Sequence, residues 1–176
     1  MTRLLTFADL IDGLTRLAGK LAAFMLLALV LLVGGNTLGR YALGQSSIAL
    51  QELEWHLLLP VALIGISVLM RENGHVRVDM VYELLGRKTQ AALDCFSMLV
   101  GVLVAVLFIR YSTGFVDSAW SIDEGSPDPG GLPARWALKG LMPVCFALMA
   151  LQCLANAIRH LAILTGHTPA TPEVPS

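Results

Sequence analysis

The sequence predicts an all-α membrane protein: four transmembrane helices, both termini cytoplasmic, and short amphipathic helices on the membrane surface. Three observations lead there. Of 176 residues, 56% are hydrophobic and 14% charged, with a mean hydropathy of +0.70, against roughly 25% charged in a soluble domain. Four uncharged runs recur along the chain, Leu21–Leu38, Leu57–Met70, Cys95–Ile109 and Gly140–Ile158. Cations stand at the ends of these runs, as Arg40, Arg71 and Arg110 do, and not within them.

Residues 1–20 mix Arg3, Arg16 and Lys20 with Asp9 and Asp12, while Leu4, Phe7, Ile11, Leu14 and Ala18 fall at helical spacing. That pattern predicts an amphipathic cytoplasmic leader lying on the membrane surface. No small-residue cleavage site follows the first apolar run, so that run is expected to stay as an uncleaved anchor. Residues 21–164 then form one four-span domain, with spans at about 21–41, 47–70, 89–112 and 134–160, and a disordered tail over 165–176.

In the first span, Gly35 and Gly39 form a small-xxx-small step beside Asn36, a surface on which another helix can approach closely. Arg40 closes this span. The second span has only 14 uncharged residues, Leu57 to Met70, or about 21 Å of helix against a hydrocarbon core of about 30 Å. It must therefore begin near Ser47 and carry Glu52 and Glu54 into the outer interface, where a carboxylate needs water or a cation. Arg40 is the nearest cation in sequence, and an ion pair with Glu52 or Glu54 is expected to join the outer ends of the first two spans. His56, one turn after Glu52, is within reach of its carboxylate. Pro60 is expected to kink the helix.

The loop 71–88 carries four cations and a short helix at 80–85, the latter expected to lie flat on the surface. The third span opens with Asp94 in its first turn. The segment 114–135 is acidic and turn-rich, with Asp123, Glu124 and Asp128 placed to dock a partner outside. In the fourth span Gln152 and Asn156, four apart, share one face and should point at another helix. Eight of the twelve Lys and Arg residues fall in the leader, the 71–88 loop and the C-terminal end, which puts those parts in the cytoplasm.

The same residues exclude function classes. A net charge of −1 gives nucleic acid no footprint. Three cysteines, all within apolar runs, do not make a disulfide framework. No span carries charge near its middle, as ion sites and proton relays do. No metal, haem or nucleophile pattern is present, so neither catalysis nor a cofactor is expected.

Several pieces, taken in order, resemble a known family. They are Arg40–Tyr41, the E-x-E-W of Glu52 to Trp55, the G-H-V-x-V-D of Gly74 to Asp79 (with His75 and Arg77), and the G-L-P-x-x-W-x-x-K of Gly131 to Lys139, followed by Pro143 and Gln152. Together they resemble the small membrane subunit of tripartite ATP-independent periplasmic (TRAP) transporters, over nearly the whole chain. The resemblance implies a non-catalytic subunit of the bacterial inner membrane. It would scaffold a large membrane subunit that imports an organic-acid-like substrate with sodium ions, served by a periplasmic substrate-binding protein. The competing class is a self-sufficient homo-oligomeric small transporter or channel, against which the missing mid-membrane charge weighs.

Overall fold

The computed structural model describes residues 1–44, 47–72, 82 and 84–167. Four helices account for most of them: α1 (Thr2–Leu43), α2 (Ile48–Arg71), α3 (Arg87–Ser121) and α4 (Arg135–Leu164). Each is long and apolar enough to cross a membrane, and no strand occurs among the described residues.

Two helices outrun the expected spans. The leader is not a separate surface helix: α1 is continuous over 42 residues, about 63 Å. Its inward positions explain this. Ala8, Thr15, Ala22, Leu29 and Asn36 recur every seven residues, all buried or half-buried, and Ile11, Ala18, Met25 and Leu32 follow the same period beside them. The repeat runs through residue 20 without a phase shift, so leader and span share one packing face. It ends at Gly44, whose φ of 65° and N–H to the Arg40 carbonyl close the helix.

In α3 the buried residues Ala91, Met98, Ala105, Ser112 and Ala119 are likewise seven apart. The helix therefore continues to Ser121, through the first part of a segment expected to be loop. Seven-residue spacing keeps one seam facing a neighbour at a shallow crossing angle.

Helix α4 is the hub. It packs on α1, α2 and most extensively α3, while α1 and α2 also pair. Small residues allow the close approaches: a Cβ on Gly19 would stand 2.9 Å from Val68, and one on Gly101 2.9 Å from the Cys153 sulfur. All three cysteines are free. Pro60 is fully buried inside α2, which continues past it. Half of the helix expected at 80–85 (residues 80, 81 and 83) lies outside the described residues, as do His75, Arg77 and Asp79 and the tail from 168.

Candidate functional site

Polar side chains gather at two ends of the bundle. At the end opposite the termini, Glu52 is buried at the start of α2. Its Oε1 accepts from the Ser126 hydroxyl, and its Oε2 accepts from the Leu132 N–H at 2.6 Å. The loop between α3 and α4 is folded around this carboxylate. Ser126 N–H donates to the Leu132 carbonyl at 3.1 Å, Gly131 N–H to the Asp128 carbonyl at 3.0 Å, and Arg135 N–H to the Glu124 carbonyl at 2.8 Å. Gly131 leaves no room for a side chain, since a Cβ there would collide with Ser126 and stand 2.8 Å from Glu52 Oε2. Lys139 ties the loop to α4 by an ion pair with Glu124 and covers the Phe115 ring at 3.9 Å. Trp120 meets Trp136 edge-on at 4.3 Å.

The expected pair of Arg40 with Glu52 or Glu54 is not formed among the described residues. Glu52 is taken by the loop, Glu54 accepts from Asn36 Nδ2 at 3.0 Å, and the Arg40 guanidinium lies over the adjacent Tyr41 ring at 5.5 Å. The reason is reach. A backbone N–H and a hydroxyl presented by a tight turn satisfy both carboxylate oxygens at once, while Arg40 is exposed and hydrated. Asn36 thus joins α1 to α2. His56 Nδ1 is 2.7 Å from the main-chain carbonyl of Glu52, not its carboxylate. His56 Nε2 and Ser67 Oγ are buried without a hydrogen-bond partner among the described residues.

At the end holding the termini, Gln152 is fully buried between three helices. Its Oε1 accepts from Thr15 Oγ1 at 2.6 Å, and its Nε2 donates to Asp12 Oδ1 at 2.9 Å and to Asn156 Oδ1 at 3.2 Å. Asn156 Nδ2 donates onward to the Met70 carbonyl in the last turn of α2, 2.7 Å away. Arg159 bridges Asp12 at 2.8 Å and Asp9 at 3.0 Å. Asp94, buried at the start of α3, accepts from the Tyr82 hydroxyl at 2.6 Å and faces His160 at 3.8 Å.

Gln152 and Asn156 therefore do point at other helices, but at helices of their own chain. That face is closed to a partner. Gly35 and Gly39 remain open: a Cβ at either position would have no atom within 4 Å. Asp123 and Asp128 are exposed, whereas Glu124 is half-buried against Lys139. The partners that sequence reasoning missed are Ser126, Gly131 and Leu132 for Glu52, and Asp12, Thr15 and Arg159 for Gln152. The Ser-Pro-Asp-Pro-Gly-Gly turn and the two aspartates of the amphipathic leader were the available signals. Among the described residues no group of His, Cys, Asp and Glu is placed to hold a metal ion.

Comparison with known proteins decides the family. Residues 29–163 match the model for the DctQ component of tripartite ATP-independent periplasmic transporters. The chain belongs to that family. It is 30% identical over 150 residues to the ectoine TRAP transporter small permease protein TeaB of Halomonas elongata, covering 82% of this chain and 76% of that one. It is also 28% identical over 122 residues to the sialic acid TRAP transporter permease protein SiaT of Haemophilus influenzae. That match takes in 69% of this chain but only 19% of SiaT, so the small permease corresponds to about a fifth of the larger protein. Asn36, Glu52, Glu54, the Gly131 turn, Gln152 and Asn156 all lie within the matched residues, whereas Asp9, Asp12 and Thr15 precede them.

Proposed function

We propose that this small permease is the passive membrane support of a three-part secondary transporter. It scaffolds a large membrane subunit that imports an organic-acid-like substrate with sodium ions. A periplasmic substrate-binding protein delivers that substrate from outside. One observation carries the reading: apart from His56 Nε2 and Ser67 Oγ, the buried polar groups at helix contacts are spent on each other. Glu52, Glu54, Gln152, Asn156, Asp12 and Arg159 hold this bundle's own helices and loop. A transport site needs polar groups left for cargo.

The outer faces of α1 and α3 are broadly apolar, with Phe24, Leu31 and Leu38 on one and Phe96, Leu103 and Leu107 on the other. Such faces suit lipid and a membrane partner. The open Gly35 and Gly39 make the outer half of α1 the contact we assign to the large subunit. Asp123 and Asp128 are the docking points for the periplasmic protein. The excess of Lys and Arg in the leader and the 71–88 loop supports a cytoplasmic position for both termini, and for His75, Arg77 and Asp79, in a bacterial inner-membrane protein. The relatives are named for ectoine and sialic acid, both carboxylate-bearing solutes, which supports the organic-acid class.

The test is reconstitution. The large subunit with its binding protein should take up solute in a sodium gradient only when this chain is also present. Solute flux through vesicles holding this chain alone would establish the competing reading, a self-sufficient small transporter or channel.

A further inference from the structure

The apolar stretches of the four helices are not at the same height along the bundle, and their contacts give the offsets. On one flank of α4, Thr15 bonds Gln152, and Ala22 and Cys145 share one buried cluster with Ile64. On the other flank, Gly101 meets Cys153, Phe108 stacks on Phe146, and Trp120 meets Trp136. Helices α1 and α3 both run antiparallel to α4, so heights can be read across it. Arg16 of α1 comes level with Leu103 of α3, through Leu151. Val30 comes level with Asp117, through Ala137.

These two pairings cannot both be accommodated by an upright bundle. Leu103 is at the middle of the uncharged run Cys95–Ile109, yet Arg16, at its height, is an exposed cation with no ion pair or hydrogen bond among the described residues. Val30 is at the middle of α1's uncharged run, yet Asp117, at its height, is exposed. A charge at the centre of a bilayer costs at least about 2.5 kcal/mol on insertion scales. The displacement has one sense at both ends and passes through the molecule in order. Toward the end with the termini, the uncharged stretches close at Lys20 in α1, Arg71 in α2, Arg159 in α4 and Asp94 in α3. The registers set Lys20 level with Ala147, Arg71 one residue past the contact with Asn156, and Asp94 opposite His160. At the other end they close at Arg40, near Glu52, at Lys139 and at Arg110, again in that order of height.

We infer that the bundle sits obliquely in the bilayer, its apolar belt running slantwise from the outer half of α1 to the half of α3 nearest the termini. The offset between α1 and α3 is about 13 residues, or about 20 Å of helix. Across two interhelical spacings of about 9 Å each, that corresponds to a tilt of about 48°, somewhat beyond the roughly 40° that spanning helices reach. Snorkelling of Lys20 and Arg110 absorbs part of the difference. In this pose the first 16 or so residues of α1 pass through the interface at the same slant. Leu10, Leu14 and Leu17, exposed on one side of the helix, meet lipid, and Asp9 and Arg16 on the other side meet water. The amphipathic pattern of the leader and its continuity with the span then have one explanation.

The test uses spin labels at single cysteines, Arg16→Cys, Val30→Cys, Leu103→Cys and Asp117→Cys, in the full chain with Cys95, Cys145 and Cys153 replaced by alanine. The labelled protein is placed in vesicles of phosphatidylethanolamine and phosphatidylglycerol. Collision with oxygen and with a water-soluble nickel chelate reports depth from the nearer surface. Labels at 30 and 103 should lie about 10 Å or more deeper than those at 117 and 16. Equal depth within each pair overturns the inference. Because the cysteine-free chain can fail to fold, polarised infrared dichroism of the unmodified chain in aligned bilayers is the second measurement. A mean helix tilt of about 30° or more supports the oblique pose, and a smaller one overturns it.

Discussion

The two polar clusters are built differently, and the difference separates their jobs. At the Glu52 end one carboxylate is satisfied by a hydroxyl and a main-chain N–H of a single turn, with Gly131 beneath it. The arrangement fixes the shape of a loop. At the Gln152 end an amide is shared among α1, α2 and α4 through Thr15, Asp12, Asn156 and the Met70 carbonyl. It fixes helix register and leaves no loop ordered by it. A carboxylate accepts on both oxygens and suits a turn rich in donors; an amide both donates and accepts, and so can link helices that offer either. The first cluster should therefore govern the surface at the end away from the termini, and the second the stability of the bundle.

The contrast can be broken from both sides. Its largest expected effect is local. In Glu52→Ala the Leu132 N–H and the Ser126 hydroxyl both lose their acceptor, so the 122–134 loop should open. Limited proteolysis there should speed up by roughly tenfold or more, with little change in the thermal midpoint of the bundle. Gly131→Val should behave alike, and an unchanged cleavage rate in both would show that the carboxylate does not hold the loop.

Gln152→Leu should do the reverse, lowering bundle stability by about 2–3 kcal/mol as Thr15, Asp12 and Asn156 lose their shared partner. Thermal unfolding in detergent checks this. A shift no larger than that of an exposed Leu154→Ala control would remove the network from the account of stability.

A smaller effect, about 1–2 kcal/mol, is expected for Gly101→Ala, whose Cβ would stand 2.9 Å from the Cys153 sulfur. Cys153→Ala should relieve much of it. Additive losses in the double variant would place the strain elsewhere. Arg40→Ala, which removes a guanidinium lying over the exposed Tyr41 ring, should cost no more than about 0.5 kcal/mol and leave complex yield unchanged. A large loss there would restore Arg40 as an organising residue.

How far the candidate site was legible varied with the kind of interaction. That Gln152 and Asn156 share a face follows from a four-residue step, and the sequence carried it. Which helix they meet does not follow, because α1, α2 and a partner subunit all offer donors and acceptors. Glu52 was legible as a carboxylate needing company at the interface, but its partner came from 74 residues away, not from the neighbouring helix. Nearness in sequence favoured Arg40; turn geometry favoured Ser126 and Leu132. The extension of α3 to Ser121 was hidden because Asp117 and four nearby serines and threonines read as loop on polarity. Ser112 and Ala119 nonetheless carry the seven-residue seam onto α4.

The sequence alone determined that this chain makes four helices, each holding a long apolar run with charge only outside it, because transfer of a side chain into hydrocarbon depends chiefly on its own chemistry. It also determined the family, through short motifs whose order survives without a structure. Only the tertiary arrangement decided that α4 is the centre, that Glu52 belongs to a loop and Gln152 to three helices, and how far the apolar stretches are staggered. Those are questions of register between helices, and a few ångströms of sliding changes every partner while leaving each helix's composition untouched.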